Sequence, residues 1–346
     1  MRIQSIFIPY LLFILWAFVV PLMGWTQTQT PEDCSPVNLI TETNSPFQKL
    51  PVYNQEKINI CYAYSAAQMV DYHLIKKGHA AARSIHPAWV ALNYSLKKNR
   101  NRLEIGHTKE ALDSIAEINN CDYEQVSKAL KTWANKNDVS EARILTYIER
   151  NTTEIPTARA PSSIPGVAEL KTSNMSSVQM LALLLTTNCQ ERKQVTIPKA
   201  HKYNFVQLPD DQAFKSTLES KIEQLRSPIS IAYCSNIWKD AEYRGIGLTS
   251  DQIRDALKKD CHYHESLVVG RKKINGSCNL LVRNTWGTKW SADNKKWNCV
   301  CRNKATGEYA DDCSPQSHND GQFTVEGCWL PSDKLARNTG LVTFME

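Results

Sequence analysis

The sequence has 346 residues, 42% of them hydrophobic, which is enough for one large domain or two small ones with a packed core. Its 41 basic and 35 acidic residues leave a net charge of +6 without any long basic run. This charge pattern argues against a nucleic-acid-binding protein.

The first 26 residues have the composition of an export signal. Arg2 is the only charge in this segment, and a long apolar stretch with small residues near its end follows. Pro9 and Pro21 interrupt the stretch, and polar sequence follows at once, which favours a cleaved signal peptide over residues 1–26. The alternative is an uncleaved membrane anchor, because roughly 20 apolar residues suffice to span a bilayer. In either case residues 27–346 are expected to be exported.

A polar leader over residues 27–50 precedes the first predicted helix. This helix begins at Cys61, six residues after Gln55, and extends to about Lys77. Its apolar side chains recur at three- and four-residue steps, as on a buried helix, at Ala63, Ala66, Ala67, Val70 and Leu74. A cysteine therefore stands at a helix N-terminus, where unpaired backbone N–H groups and the helix dipole favour a thiolate.

Four more helices and an exposed loop are predicted before residue 228. Ser84 is a candidate N-cap for a helix with Pro87 in its first turn. The other helices are predicted at 110–134 (as one helix, or as two broken near Asn119 and Asn120), at 178–185 and at 213–225. The segment 151–177 is rich in Pro, Ser and Thr, which is typical of an exposed loop.

The remainder of the chain is predicted to be mainly β-strand. Residues 228–233 alternate in polarity as a half-buried strand does. Further strands are predicted at 267–269, 279–283, 321–325 and 340–344. His264 comes shortly before the first of these further strands, and Asn284 directly follows the second. The Cys-, Asn- and Asp-rich stretch 297–318 is predicted to be a disulfide-tied loop.

Eleven cysteines suit an exported chain, because such a chain meets an oxidising compartment. An odd number agrees with one reactive thiol and ten cysteines in five disulfides, although the count does not identify the free one. A zinc site is the alternative for Cys299, Cys301, Cys313 and Cys328. The Cys-x-Cys spacing and the oxidising context argue against it.

Three short segments carry the most specific pattern in the chain. They are Gln55 to Ala67 around Cys61, His264-Glu265-Ser266-Leu267-Val268-Val269-Gly270, and Arg283-Asn284-Thr285-Trp286-Gly287-Thr288-Lys289-Trp290. Their order and local spacing resemble the active-site segments of the papain-like cysteine peptidases. The resemblance covers most of residues 47–346 and is strong in these three segments alone.

The resemblance implies a chemical role for five residues. Cys61 would be the nucleophile, His264 its acid and base, and Asn284 the group that orients the imidazole. Gln55 and the Cys61 backbone N–H would stabilise the oxyanion, and Trp286 would cover the histidine–asparagine hydrogen bond from water. A thiolate–imidazolium pair would hold the pKa of the thiol below its usual value. No metal or organic cofactor is expected.

The implied fold is α+β, with a helical subdomain that begins at Cys61 and a β-barrel-like subdomain that carries His264 and Asn284. The active-site cleft would lie between the two. The stretch between Cys61 and His264 is longer than usual in the family, which predicts an insertion around residues 139–208. Only about 25 residues separate the signal from the first motif, so the family's usual long pro-region is not expected.

Two positions qualify the resemblance. His262 is a rival of His264, and His264 is preferred because Gly270 follows it at the family's distance. Ile58 stands where the family usually has a cysteine, so the usual disulfide beside the active site is not expected.

The expected function is the hydrolysis of peptide bonds in protein or peptide substrates by a monomer, in the periplasm or outside the cell. No nucleic-acid partner is expected, and a membrane is expected only if the N-terminal segment stays uncleaved. Two alternatives remain. One is another Cys–His amidase, such as a cell-wall peptide hydrolase. The other is a non-catalytic binding protein of the same fold, suggested by the altered loop before Cys61.

Overall fold

The structure is a computed structural model that describes residues 34–56, 58–80, 82–103, 106–116, 118–136, 140–150, 175–190, 192–204, 211–239, 263–287, 297–313 and 322–346. All of these residues fall within the unit Cys34–Glu346. The predicted signal peptide, nearly all of the predicted loop 151–177, and His262 lie outside the described residues.

The described helices are α1 (Cys61–Lys76), α2 (Pro87–Lys97), α3 (Thr108–Ala116), α4 (Tyr123–Lys136), α5 (Glu141–Arg150), α6 (Ser177–Thr186), α7 (Asp211–Leu225) and α8 (Ser332–Asn338). Helix α1 is the central one and packs against α2, α3 and the sheet. All of its residues except His73 and Lys76 are buried. Its alanines leave room for these neighbours to approach closely on several sides. None of the helices in the described part of the chain is long and apolar enough to cross a membrane.

Most helices predicted from the sequence are confirmed, with one wrong cap. Pro87 is the first residue of α2, as predicted, but the N-cap is His86, whose Nδ1 accepts the Ala88 N–H at 3.1 Å. The N–H of Ser84 instead donates to the carboxylate of Asp71 at 2.7 Å. The predicted helical stretch 110–134 is two helices, α3 and α4, while α5 and α8 were not predicted.

The strands are β1 (Val37–Asn38), β2 (Asn119–Cys121), β3 (Arg192–Gln194), β4 (Ala200–Asn204), β5 (Ile229–Cys234), β6 (Tyr263–Ile274), β7 (Ser277–Arg283), β8 (Cys299–Asn303), β9 (Tyr309–Cys313), β10 (Phe323–Pro331) and β11 (Thr339–Met345). Nine of them form an antiparallel sheet in the order β4-β11-β5-β6-β7-β10-β8-β9, with β1 beside β6. Strands β2 and β3 form a separate pair. The fold is therefore α+β as predicted, and the sheet of the described residues runs in an open order.

Two predictions for the sheet are wrong. Strand β5 is buried at every residue, where its alternating sequence predicted a half-buried strand. It pairs with β6 and β11 on its two edges and also packs against α1, so its polar residues are covered as well. The predicted loop 297–318 contains the paired strands β8 and β9.

The cysteines are paired as an oxidising compartment allows. The disulfides of the described residues join Cys34 to Cys278, Cys121 to Cys189, Cys299 to Cys328, and Cys301 to Cys313. Cys234 is also disulfide-bonded. The four cysteines for which zinc was the alternative are thus bonded to each other in two disulfides.

Candidate active site

Cys61 is the free cysteine of the described residues and the first residue of α1. Its side chain is buried, and burial raises the pKa of the thiol to about 12. The negative charge of Glu265 contributes to this rise, while backbone N–H groups of Glu265, Tyr62 and Cys61 lower the pKa without offsetting burial. The thiol is therefore neutral here, contrary to the thiolate that its place at a helix N-terminus predicts.

The ends of two neighbouring strands bring His264 and Asn284 together. Strands β6 and β7 are antiparallel with Leu267 opposite Arg283, so the start of β6 lies beside the end of β7. The Nε2 of His264 lies 2.7 Å from the Oδ1 of Asn284, and both side chains are buried. Because an amide oxygen only accepts hydrogen bonds, Nε2 carries the hydrogen in this contact. The other ring nitrogen, Nδ1, is left for a proton transfer.

Trp286 packs against the imidazole of His264. Its ring centroid is 4.4 Å from that of His264, with 32° between the planes. Burial lowers the pKa of His264 to about 4, and the hydrogen bond to Asn284 raises it only in part. The imidazole is therefore neutral, like the thiol.

Gln55 is held to the residue that follows Asn284. The backbone N–H of Gln55 donates to the Thr285 carbonyl at 2.7 Å, and its side-chain Oε1 accepts the Thr285 hydroxyl at 2.5 Å. Its Nε2 donates to the Ile58 carbonyl at 3.1 Å, which occupies one of the two amide hydrogens. The segments around Gln55 and Asn284 thus form one unit, although 229 positions separate them in the sequence.

A glycine permits this pairing of the two segments. Asn54 forms a β-bridge with Trp286, and the Gly287 N–H donates to the Tyr53 carbonyl at 2.9 Å. Gly287 has φ of +74°, and a Cβ at this position would lie 3.0 Å from side-chain atoms of Asn54. Any other residue would be strained there, so the glycine of the third motif serves the geometry of the site.

Sequence reasoning missed a buried acidic residue beside the thiol. Glu265 is 1% exposed and accepts hydrogen bonds from the backbone N–H of Thr108, at 3.1 Å, and from its hydroxyl. The Nδ1 of His107 lies 3.5 Å from its other oxygen, and this carboxylate raises the pKa of His107. The only sequence signal was the place of Glu265 directly after His264.

The structure thus brings four of the five predicted site residues together, three by direct contact and one through a single intervening residue. His264, Asn284 and Trp286 touch one another or stack, and Gln55 joins them through the residue after Asn284. The fifth, Cys61, joins them through the backbone of Glu265, which directs an N–H at its sulfur. The described residues contain no cluster of His, Cys, Asp or Glu that could hold a metal ion.

The profile of the papain family cysteine proteases matches residues 44–316. The chain belongs to the papain family. It is therefore a cysteine peptidase, a hydrolase that acts on peptide or protein substrates. A search of curated proteins found no significant match to this sequence.

A search of solved structures matched papain-like enzymes at low sequence identity. Xylellain, a cysteine protease from Xylella fastidiosa, is 13% identical with a TM-score of 0.43, over 90% of this chain and 85% of that one. Procathepsin B S9 from Trypanosoma congolense is 11% identical with a TM-score of 0.45, over 93% and 80%. Digestive procathepsin L 3 of Tenebrio molitor is 10% identical with a TM-score of 0.42, over 93% and 73%.

Family membership identifies the fold as papain-like. This papain-family chain has the α+β fold of two subdomains, with the helices around α1 on one side and the large antiparallel sheet on the other. Its several disulfides are those of a protein of the secretory route.

Proposed function

We propose that this papain-family peptidase cleaves peptide bonds with a triad of Cys61, His264 and Asn284. The observation that carries the proposal is the 2.7 Å contact between His264 Nε2 and Asn284 Oδ1, with the ring of Trp286 packed against the imidazole. Strand β6, which holds His264, also directs the backbone N–H of Glu265 at the free thiol of Cys61.

The steps of hydrolysis follow from which atoms of the triad carry a proton. Asn284 holds the hydrogen of His264 on Nε2, so Nδ1 is the base that takes the proton of the Cys61 thiol. The sulfur attacks the carbonyl carbon, and the imidazolium then protonates the departing amine. A water molecule, deprotonated by the same nitrogen, releases the acyl group and regenerates the thiol.

Burial determines at which step the Cys61 thiol and the His264 imidazole become charged. Both the thiol and the imidazole are neutral in the free protein, because burial disfavours the thiolate and the imidazolium alike. The two opposite charges form together, so each stabilises the other. The hydrogen bond that His264 donates to Asn284 favours the imidazolium, and its effect is largest when this charge is present.

Two donors are proposed for the oxyanion. The backbone N–H of Cys61 is one of the first N–H groups of α1, and the N-cap residue Ile60 supplies no side-chain acceptor there. The Gln55 amide is the second donor, through the hydrogen that is not bonded to Ile58. The hydrogen bond from Thr285 to the Gln55 oxygen fixes which edge of this amide donates.

We further propose an enzyme that is exported to the periplasm or the extracellular space and acts as a monomer. The disulfides and the apolar segment 1–26 support export, and this segment is proposed to be a cleaved signal peptide. The bridge from Cys34 to Cys278 ties the leader to β7.

The first prediction tests the nucleophile and its base. Cys61→Ala and His264→Ala are each expected to lower kcat/KM on denatured protein by at least roughly 10³-fold, because removal of either partner of such a pair disables the whole unit. The thermal midpoint should change little for Cys61→Ala, since Ala suits a buried helix start. The half-buried His73, on the same helix as Cys61, supplies the control His73→Ala, which should retain activity. Full activity without Cys61, or equal losses from both histidine variants, would refute the triad.

A further inference from the structure

The side-chain oxygen of Asn284 receives three hydrogen bonds. His264 Nε2 is 2.7 Å away, the backbone N–H of Thr285 is 2.7 Å away, and the hydroxyl of Ser266 is 3.3 Å away. A flipped amide would turn its NH₂ group against the Thr285 N–H, so these contacts fix which end of Asn284 faces the histidine. The orientation of this amide sets the tautomer of His264.

The hydroxyl of Ser266 is the last donor in a buried chain of hydrogen bonds. Tyr233 Oη lies 3.1 Å from Ser266 Oγ, and the indole N–H of Trp238 donates to Tyr233 Oη at 2.8 Å. An indole N–H can only donate, and the oxygen of Asn284 can only accept. Every bond in the chain therefore points the same way, from Trp238 to Tyr233, to Ser266 and to Asn284.

Sheet register explains why these residues meet. Tyr233 of β5 is directly opposite His264 of β6, and Ser266 lies two residues further along β6 on the same face. Tyr233 thus reaches Ser266 on the diagonal, a distance that an aromatic side chain can span. Because β6 and β7 are antiparallel and Leu267 pairs with Arg283, Ser266 lies opposite Asn284. The Tyr233 ring also meets the His264 ring edge-on, with centroids 5.8 Å apart.

We infer that Ser266 and Tyr233 are positioning residues of this peptidase, which hold the Asn284 amide and through it the imidazole of His264. The inference rests on the proposed triad. Hydrogen bonds that align in a buried chain polarise one another, so the serine hydroxyl is a stronger donor than an isolated one. Burial raises the pKa of Tyr233, which keeps its phenol protonated as the chain requires.

The test removes one hydroxyl at a time from the full oxidised chain. Ser266→Ala and Tyr233→Phe should each lower kcat roughly three- to tenfold with little change in KM, as expected for loss of one hydrogen bond. Tyr233→Phe keeps the ring that contacts His264, so it removes the hydroxyl alone. The matched control is Tyr72→Phe, which removes a phenol bonded to the Arg226 carbonyl, away from the site. This control should leave kcat unchanged.

The deciding readout is a double-mutant cycle with Asn284→Ala. If Ser266 and Tyr233 act through Asn284, their effects on kcat should vanish in the Asn284→Ala background. An equal loss in both backgrounds would mean a purely structural role and would overturn the inference, as would unchanged kcat in the wild-type background. Asn284→Ala at full activity would instead overturn the proposed triad, and the positioning role with it.

Discussion

At the scale of single residues, Glu265 places a negative charge near the thiol of Cys61. Glu265 stands next to His264 in the sequence, but the alternation of the strand turns its side chain to the opposite face. There it accepts two hydrogen bonds from Thr108 and lies near His107. Its negative charge adds to the effect of burial in keeping Cys61 protonated.

We therefore expect Glu265→Gln to speed the alkylation of Cys61. An amide oxygen can still accept the hydrogen bonds from Thr108, while removal of the charge lowers the pKa of the thiol. The rate with iodoacetamide at pH 7 should rise by up to roughly tenfold, since one pKa unit changes the thiolate fraction tenfold. The control is Glu110→Gln, because Glu110 also acts on His107 but is not among the charges that act on Cys61. A rate that falls in Glu265→Gln would contradict this electrostatic role.

At the scale of elements, α1 is tied to the start of α2 by one buried carboxylate. Asp71 on α1 is fully buried, and its Oδ1 accepts the N–H groups of Ser84, at 2.7 Å, and Ile85, at 3.3 Å. Burial raises the pKa of Asp71 to about 7, and these two N–H groups lower it only in part. The helix that presents Cys61 thus contains a group that changes its charge near neutral pH.

The sign of the resulting pH dependence follows from linkage. The pKa of Asp71 is raised in the folded state above its unfolded value of 3.8, so the folded state holds this proton more tightly. Its contribution to stability is fully present below about pH 4 and is lost as the pH rises through about 7. Asp71→Asn keeps an oxygen acceptor and removes this titration. Between pH 4 and pH 8 the variant should gain up to roughly 4 kcal/mol in free energy of unfolding relative to the wild type.

Denaturant unfolding at several pH values measures this difference. The partly exposed Asp113, which pairs with Lys109 on α3, supplies the control Asp113→Asn. A wild type and an Asp71→Asn variant whose stabilities change in parallel from pH 4 to pH 8 would show that Asp71 does not titrate in this range.

At the scale of the whole molecule, the disulfides differ most in the length of chain that they close. Cys34–Cys278 spans 244 positions and joins the leader to β7, whereas Cys301–Cys313 spans 12 and joins neighbouring strands. In the chain-entropy account, a bridge stabilises by restricting the unfolded state, and its effect grows with the logarithm of the loop. The long bridge should therefore contribute more.

We expect the double variant Cys34→Ser/Cys278→Ser to lose up to about 2–3 kcal/mol more than Cys301→Ser/Cys313→Ser. Urea unfolding of both variants measures the losses, with mass spectrometry to verify that the other bridges remain. Because the remaining bridges shorten the effective loop, this difference is an upper bound. A larger loss from the short bridge would show that strand packing, not chain entropy, sets the value of these disulfides.

The sequence by itself determined the local patterns of this protein. The spacing of alanines and apolar residues predicted α1, the Pro87 signal predicted the start of α2, and three short motifs identified the family. These features depend on neighbours within about ten residues, so the sequence carries them directly. The odd cysteine count agreed with one free thiol, and among the described residues the free cysteine is Cys61.

The tertiary structure alone decided which distant residues meet. The link from Gln55 to Thr285, the carboxylate of Glu265 beside the thiol and the donor chain that ends on Asn284 all depend on strand order and register. Cysteine pairing depends on them too, because many pairings fit the same spacing. The neutral state of Cys61 was missed for a related reason. A helix N-terminus is visible in a sequence, whereas the burial that outweighs it exists only once the sheet packs against α1.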